Sequence, residues 1–159
     1  MVAVCADSGG IYRSVDAGST WERTSAPATN WSCVACSADG TRLVAASGGG
    51  LIYSSTDSGA TWMATTAPSQ SWYSLASSAD GATLVAGGCP DNYASVDSGM
   101  TWIAMGPGPF WAVACSADGY RLVGAGAYRL ICTWSGDETA ASYGSVYDAY
   151  RCRHADRSG

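Results

Sequence analysis

Three segments of the sequence carry serine, aspartate, glycine, threonine and tryptophan in one fixed pattern: RSVDAGSTW (13–21), SSTDSGATW (54–62) and ASVDSGMTW (94–102). A hydroxyl two residues from a carboxylate could begin an acid–base site, and a carboxylate in a glycine turn could begin a cation loop. Repetition argues against both. A catalytic group is needed once, whereas this one stands three times in equivalent places. Hard cations want several oxygen ligands, and each turn offers a single carboxylate. A structural role accounts for the pattern better. Asp16, Asp57 and Asp97 are placed to accept backbone N–H groups just ahead and so close a turn. Gly18, Gly59 and Gly99 supply the positive φ that a turn requires. Thr20, Thr61 and Thr101 cap the turn, Trp21, Trp62 and Trp102 bury apolar area against a neighbouring strand, and Ser14, Ser55 and Ser95 open the pattern.

Other chemistry is sparse. There are two glutamates, Glu22 and Glu138, and neither forms an evident pair of the kind glycoside hydrolysis needs. Arg13 and Arg23 flank the first pattern, while Arg42 and Arg121 follow Ala-Asp-Gly turns and read as solvated hairpin charges. Cys33 and Cys36 have metal-ligand spacing, but in a strand residues three apart point to opposite faces. Cys36 and Cys115 are therefore expected as small core residues, with Cys89, beside Pro90, as the best candidate for an exposed thiol. The single histidine, His154, reads as a solvated residue of the tail. No metal and no cofactor is expected.

The elements that carry these residues are repeats. The three aspartates stand 41 and 40 positions apart, and between them recurs a second stretch: WSCVACSADGTRLVA (31–45), WYSLASSADGATLVA (72–86) and FWAVACSADGYRLVG (110–124). Short apolar runs flank Ala-Asp-Gly, a hairpin signal, and others flank the Asp turns. Gly-rich 47–50 and the Ala-Pro pairs at 26–27 and 67–68 read as loops. Four short strands per unit at a 40-residue period, with no helical periodicity, define an all-β fold: a β-propeller or propeller segment of about four four-stranded blades. The units are a partial blade at 2–24 and blades at 31–66, 72–105 and 110–141. Residues 2–14 align with 43–55, so the first blade begins at its second strand. In the fourth, Gly136 stands where the aspartate belongs. A strand at 143–150 is a candidate to close the first blade, and 151–159 reads as a polar tail. The rival to closure is an open arc that associates with a second copy.

The paired motifs resemble the Asp-box, or BNR, repeats of sialidases, sortilin-type receptors and photosystem II assembly-factor-like propellers. The combination of the Trp/Phe-led stretch with the Asp pattern is most similar to the last group. This resemblance covers residues 2 to about 134. It implies that the box is the turn between the third and fourth strands of a blade, away from any active site.

The formal net charge is −5, so a nucleic-acid footprint is not expected; all eight basic residues are arginine. No apolar run reaches membrane-spanning length and the N-terminus has no signal-peptide pattern, so the default expectation is a reducing intracellular compartment. What remains is a face. Loops opposite the Asp turns carry Asn30, Trp31, Gln70, Trp72 and Trp111 on one set and Asn92, Tyr128 and Arg129 on another. Aromatics beside amides near an axis suit a sugar- or peptide-binding rim. Packing between blades is the alternative for Trp31, Trp72 and Phe110, whereas Trp111 and Tyr128 fall outside the repeated aromatic positions. The expected function is a non-catalytic scaffold for a protein or glycan partner, with an assembly-factor role implied by the resemblance. The alternatives are a sialidase-like glycoside hydrolase, or a propeller fragment with no independent function.

Overall fold

A computed structural model describes residues 2–4, 9–126, 130–135 and 149–154. These residues form an all-β fold with no helix. The first sheet has three strands: β1 (Val2–Val4), β2 (Ile11–Arg13) and β3 (Glu22–Arg23). The second contains β4 (Trp31–Cys36), β5 (Leu43–Gly50), β6 (Ile52–Ser55) and β7 (Met63–Ala64). β8 (Gln70–Ser77), β9 (Leu84–Cys89), β10 (Asp91–Ser95) and β11 (Ile103–Pro107) make the third, and β12 (Phe110–Cys115), β13 (Arg121–Gly126), β14 (Leu130–Ser135) and β15 (Ala149–His154) the fourth. Every pairing is antiparallel and each sheet is an up-and-down meander. The sheets follow one another around a curve as propeller blades, with β4, β8 and β12 as neighbouring inner strands.

Alternation of side chains along each strand gives the sheets two faces, and facing sheets meet along three apolar seams. Ile11, Ala26, Trp31 and Ala45 fill the seam between the first and second sheets, with Tyr53 and Trp62 against them. Val44, Ile52, Trp72, Leu75 and Leu84 lie at the centre of the second seam, and Val85, Ala94, Met105, Phe110 and Leu122 form the third. The backbones approach closely there. A Cβ on Gly87 would sit 2.7 Å from the Phe110 carbonyl oxygen, so only glycine lets the fourth sheet settle on the third.

Three details differ from the sequence reading. The Gly-rich stretch 47–50 is no loop: β5 runs on through it, and Gly48 and Gly50 pair with Ser71 and Gln70 of β8, joining two blades into one ladder. In β1, Val4 pairs with Ile11 as Ala46 does with Ile52, one position away from the alignment of 2–14 with 43–55. Ala149 and Tyr150, expected in a strand closing the first blade, pair instead with Ser135 and Trp134 on the outer side of β14, and Arg151–His154 continue that strand. Residues 143–148 and the altered turn around Gly136 lie outside the described residues.

Candidate functional site

The Ser-x-Asp-x-Gly-x-Thr-Trp turns join the last two strands of each of the first three sheets and share one geometry. In the second, Ser55 donates to Asp57 Oδ1 at 2.8 Å and accepts the Gly59 N–H at 2.9 Å. Thr61 gives its N–H to Asp57 Oδ1 at 2.8 Å and its hydroxyl to Oδ2 at 2.6 Å. The Asp16 and Asp97 turns repeat these bonds within about 0.2 Å. Two successive residues turn left-handed, Ser58 at φ 58° and Gly59 at φ 83°, and the Ser58 N–H is held by the Thr41 carbonyl at 2.9 Å. Pattern reading anticipates the glycine but not the residue before it. Trp62 and Trp102 return Nε1–H to the carbonyls of Gly59 and Gly99, both at 3.2 Å. Their counterpart Trp21 is 42% exposed, because the seam it would enter has no sheet on its other side among the described residues.

Both carboxylate oxygens are thus occupied in each turn. The Thr20 hydroxyl and N–H, then Ser14, hold Asp16 at a pKa of about 2, and the Thr61 pair does the same for Asp57. In the Ala-Asp-Gly turns, Ser37 and Thr41 bring Asp39 to about 2, and Asp80 and Asp118 are lowered by Ser78 and Ser116. Burial pushes Asp97 up, but bonds from Thr101 and Ser95 outweigh it and its pKa is lowered too. Six carboxylates are therefore held ionised as turn acceptors, in the opposite direction to the raised pKa a general acid requires. A group whose folded pKa is depressed contributes stability that is present above its ordinary value of 3.8 and lost as pH falls toward the folded value of about 2. The melting temperature should therefore be level above about pH 5 and fall steeply between about pH 4 and pH 2, as read by circular dichroism. A melt unchanged down to pH 2 would show that these turns do not support the fold.

Among the described residues Arg13 and Arg42 each serve a different seam. Arg13 pairs with Glu22 across β2 and β3 at 3.7 Å and donates to the Ser58 carbonyl of the next sheet at 2.9 Å. Arg42 is exposed, as the sequence suggests, and also donates across a seam to the Ser98 hydroxyl in the next Asp turn. Cys36 is exposed rather than core, Cys115 is half-buried, and Cys89 is half-buried rather than the exposed thiol. Burial pushes the thiols of Cys33 and Cys115 up to about 11. Among the described residues no three His, Cys, Asp or Glu side chains gather as a metal site.

The rim residues divide sharply. Trp31 and Trp72 are buried in the seams, 2% and 1% exposed, with Nε1–H bonded to the carbonyls of Pro27 and Gly50, so neither reaches a ligand. Asn92 is also sealed, at 1% exposure: it accepts the Gly88 N–H and donates to the Gly106 and Gly108 carbonyls. Gln70 is half-buried and bonded to the Asp91 carbonyl at 2.6 Å, and Asn30 is exposed with its carbonyl holding the Gly48 N–H. Tyr128 and Arg129 lie outside the described residues. Of the rim aromatics among the described residues, Trp111 alone is open, 56% exposed, with its ring 4.6 Å from that of Tyr73 and tilted 30° to it.

The backbone explains this pair. The inner strands each lose register just past their buried aromatic, between Trp31 and Cys33, Trp72 and Ser74, and Phe110 and Ala112. The extra residue of each bulge, Ser32, Tyr73 or Trp111, is turned out of the alternating pattern, which is how bulges re-aim side chains. Tyr73 is the member that sequence reading missed. Its signal was its place beside Trp72, equivalent to Trp111 beside Phe110.

No protein-family model and no curated protein matches the chain. Solved structures do. An ancestral GH74 enzyme superposes with a TM-score of 0.64 at 17% identity, over 93% of this chain and 23% of its own. The GH74 xyloglucanase from Xanthomonas campestris gives 0.62 at 19% identity, over 79% and 24%. Hydrazine synthase from Kuenenia stuttgartiensis gives 0.52 at 18%, over 64% and 31%. The chain spans about a quarter of the length of the GH74 structures it matches. These likenesses define the class: a segment of a β-propeller. At such identity they carry the fold alone, which glycan-related and unrelated enzymes alike employ.

Proposed function

We propose that this chain is a non-catalytic propeller segment of the Asp-box type that binds a glycan through the Tyr73–Trp111 platform. The observation that carries the reading is the open, paired aromatic surface on adjacent inner strands. The half-buried Tyr73 ring backs the indole of Trp111 at 4.6 Å, and the indole, 56% exposed, offers an apolar face that matches the C–H face of a sugar ring with hydroxyls at its edge. The amide of Gln70 is held nearby in sequence on the same strand as Tyr73. Fold likeness to a xyloglucanase supports a glycan rather than a peptide as the ligand to try first.

Hydrolysis is the second reading, favoured by the two GH74 neighbours. Against it stand six carboxylates already committed to turns and two arginines, Arg13 and Arg42, bonded across seams. The test is a titration of the full chain with xyloglucan and β-glucan oligosaccharides by calorimetry, alongside a reducing-sugar assay. Saturable binding that weakens about tenfold or more in Trp111→Ala, with an unchanged melt, is expected. Release of reducing ends would replace the proposal with hydrolysis. The absence of any binding across a glycan array would end the glycan reading.

A further inference from the structure

The far face of the fourth sheet is a seam without its other half. In the second sheet, the face turned to the third carries Cys33, Ala35, Val44, Ala46 and Ile52, and the last three are fully buried. In the third sheet, the equivalent Val85 and Asn92 are each 1% exposed. The same register positions in the fourth sheet are Ala112, Ala114, Val123, Ala125, Ile131 and Thr133. All six are exposed, with Val123 at 37% and Ile131 at 44%. Small and β-branched residues at these positions keep the composition of a buried blade face. At the other end of the arc, Trp21 is 42% exposed where Trp62 and Trp102 each close a seam. One end therefore presents the apolar sheet face of a seam, and the other presents the tryptophan that seals one.

We propose that the open face of the fourth sheet docks the first-sheet flank of a second copy of this chain, head to tail, and that two copies close a ring. The argument is continuity: the face that Val44 and Ile52, and then Val85, present to the next sheet inside the chain is repeated at the open end, and the first-sheet flank offers Trp21, although not the inner-strand aromatic that Trp31, Trp72 and Phe110 supply to the three internal seams. A head-to-tail contact gives a closed ring when the rotation per step closes. Two copies of four sheets make about eight blades, at the upper end of the usual range of four to eight. This inference stands apart from the glycan reading, since it uses neither Tyr73 nor Trp111.

The test is the molar mass of the full chain by light scattering over a concentration series. Twice 16.2 kDa is expected. A monomer up to about a hundred micromolar, or any mass other than two copies, overturns the proposal; a cooperative monomer would mean that the chain covers its own face. V123D/I131D and W21D should each destroy the closed dimer, because each removes one side of both contacts. A one-to-one mixture of these two variants should recover a dimer held by its single intact contact. A dimer that W21D leaves untouched would be face to face rather than head to tail, and would also overturn it. The substituted side chains are exposed, and a thermal melt of each variant checks that it folds. Should one fail, the wild-type mass, together with amide protection of β13 that rises with concentration, decides the question.

Discussion

Trp72→Ala should lower the unfolding free energy by about 3–5 kcal/mol, the range for emptying a buried aromatic site. Trp72 is 1% exposed in the second seam, among Val44, Ile52, Leu75 and Leu84, with Tyr93 edge-on at 5.8 Å. Removing the indole opens a cavity between two sheets held apart by their backbones, which cannot collapse without shifting a whole blade. It also strips the Gly50 carbonyl of its Nε1–H donor at 3.0 Å, and Gly50 is where β5 joins β8. Urea denaturation measures the difference, and at about 2–4 °C per kcal/mol the melting point should fall by roughly 10 °C. Trp111→Ala is the control, since an exposed substitution away from such features stays within about 0.5 kcal/mol. Similar losses in the two variants would mean that the seams are not the source of stability.

The second large effect is expected at Asn92, which stands where the neighbouring sheets have Ile52 and Ile131. Its amide accepts the Gly88 N–H at 3.1 Å and donates to the carbonyls of Gly106 at 3.2 Å and Gly108 at 2.7 Å. One side chain thus fastens β9 to the loop that follows β11. Each buried backbone group left unpaired costs about 1–3 kcal/mol, so Asn92→Ala should cost about 3 kcal/mol. Asn92→Ile restores the residue of the repeat and its apolar volume, yet it strands the same backbone groups. It too should destabilise, by about 1–3 kcal/mol in the same urea titration. A neutral or stabilising Asn92→Ile would show that water or a backbone shift satisfies those groups, and that the amide has another purpose.

Asn92 also marks where sequence reading reaches its limit. A polar residue beside Asp91 in a loop-like stretch reads as a ligand group, and only the third dimension reveals the carbonyls that converge on it. Trp31 and Trp111 give the same lesson in reverse. Both stand at the start of an inner strand, but one residue of bulge separates the sealed position from the open one, and a bulge leaves no mark in composition. Arg42 is the exposed charge it reads as, but its acceptor, Ser98, 56 positions away, leaves no local sign. The Gly-rich tail of β5 reads as a loop because its partner strand belongs to the next unit. The repeat period, the hairpins and the roles of Ser, Asp, Gly and Thr in the turns were legible because they rest on contacts within about five residues. Between units, the repeated aromatics Trp31, Trp72 and Phe110 could be read as seam packing, but the bonds that cross from one unit to the next had to be seen.

Those bonds between units carry a consequence for how the molecule opens. The Ala38 N–H is held by the Ala79 carbonyl and the Ala79 N–H by the Ala117 carbonyl, both at 2.8 Å, so a single thread of bonds runs across three hairpins. Among the described residues each unit packs against the one before and the one after, which makes a single copy, outside any closed ring, a short one-dimensional lattice with neighbour couplings. In such a lattice an end unit is lost by breaking one coupling and a middle unit by breaking two. Opening therefore proceeds inward from both termini, like a zip with two sliders, and the strands flanking the Trp72 seam are the last to part.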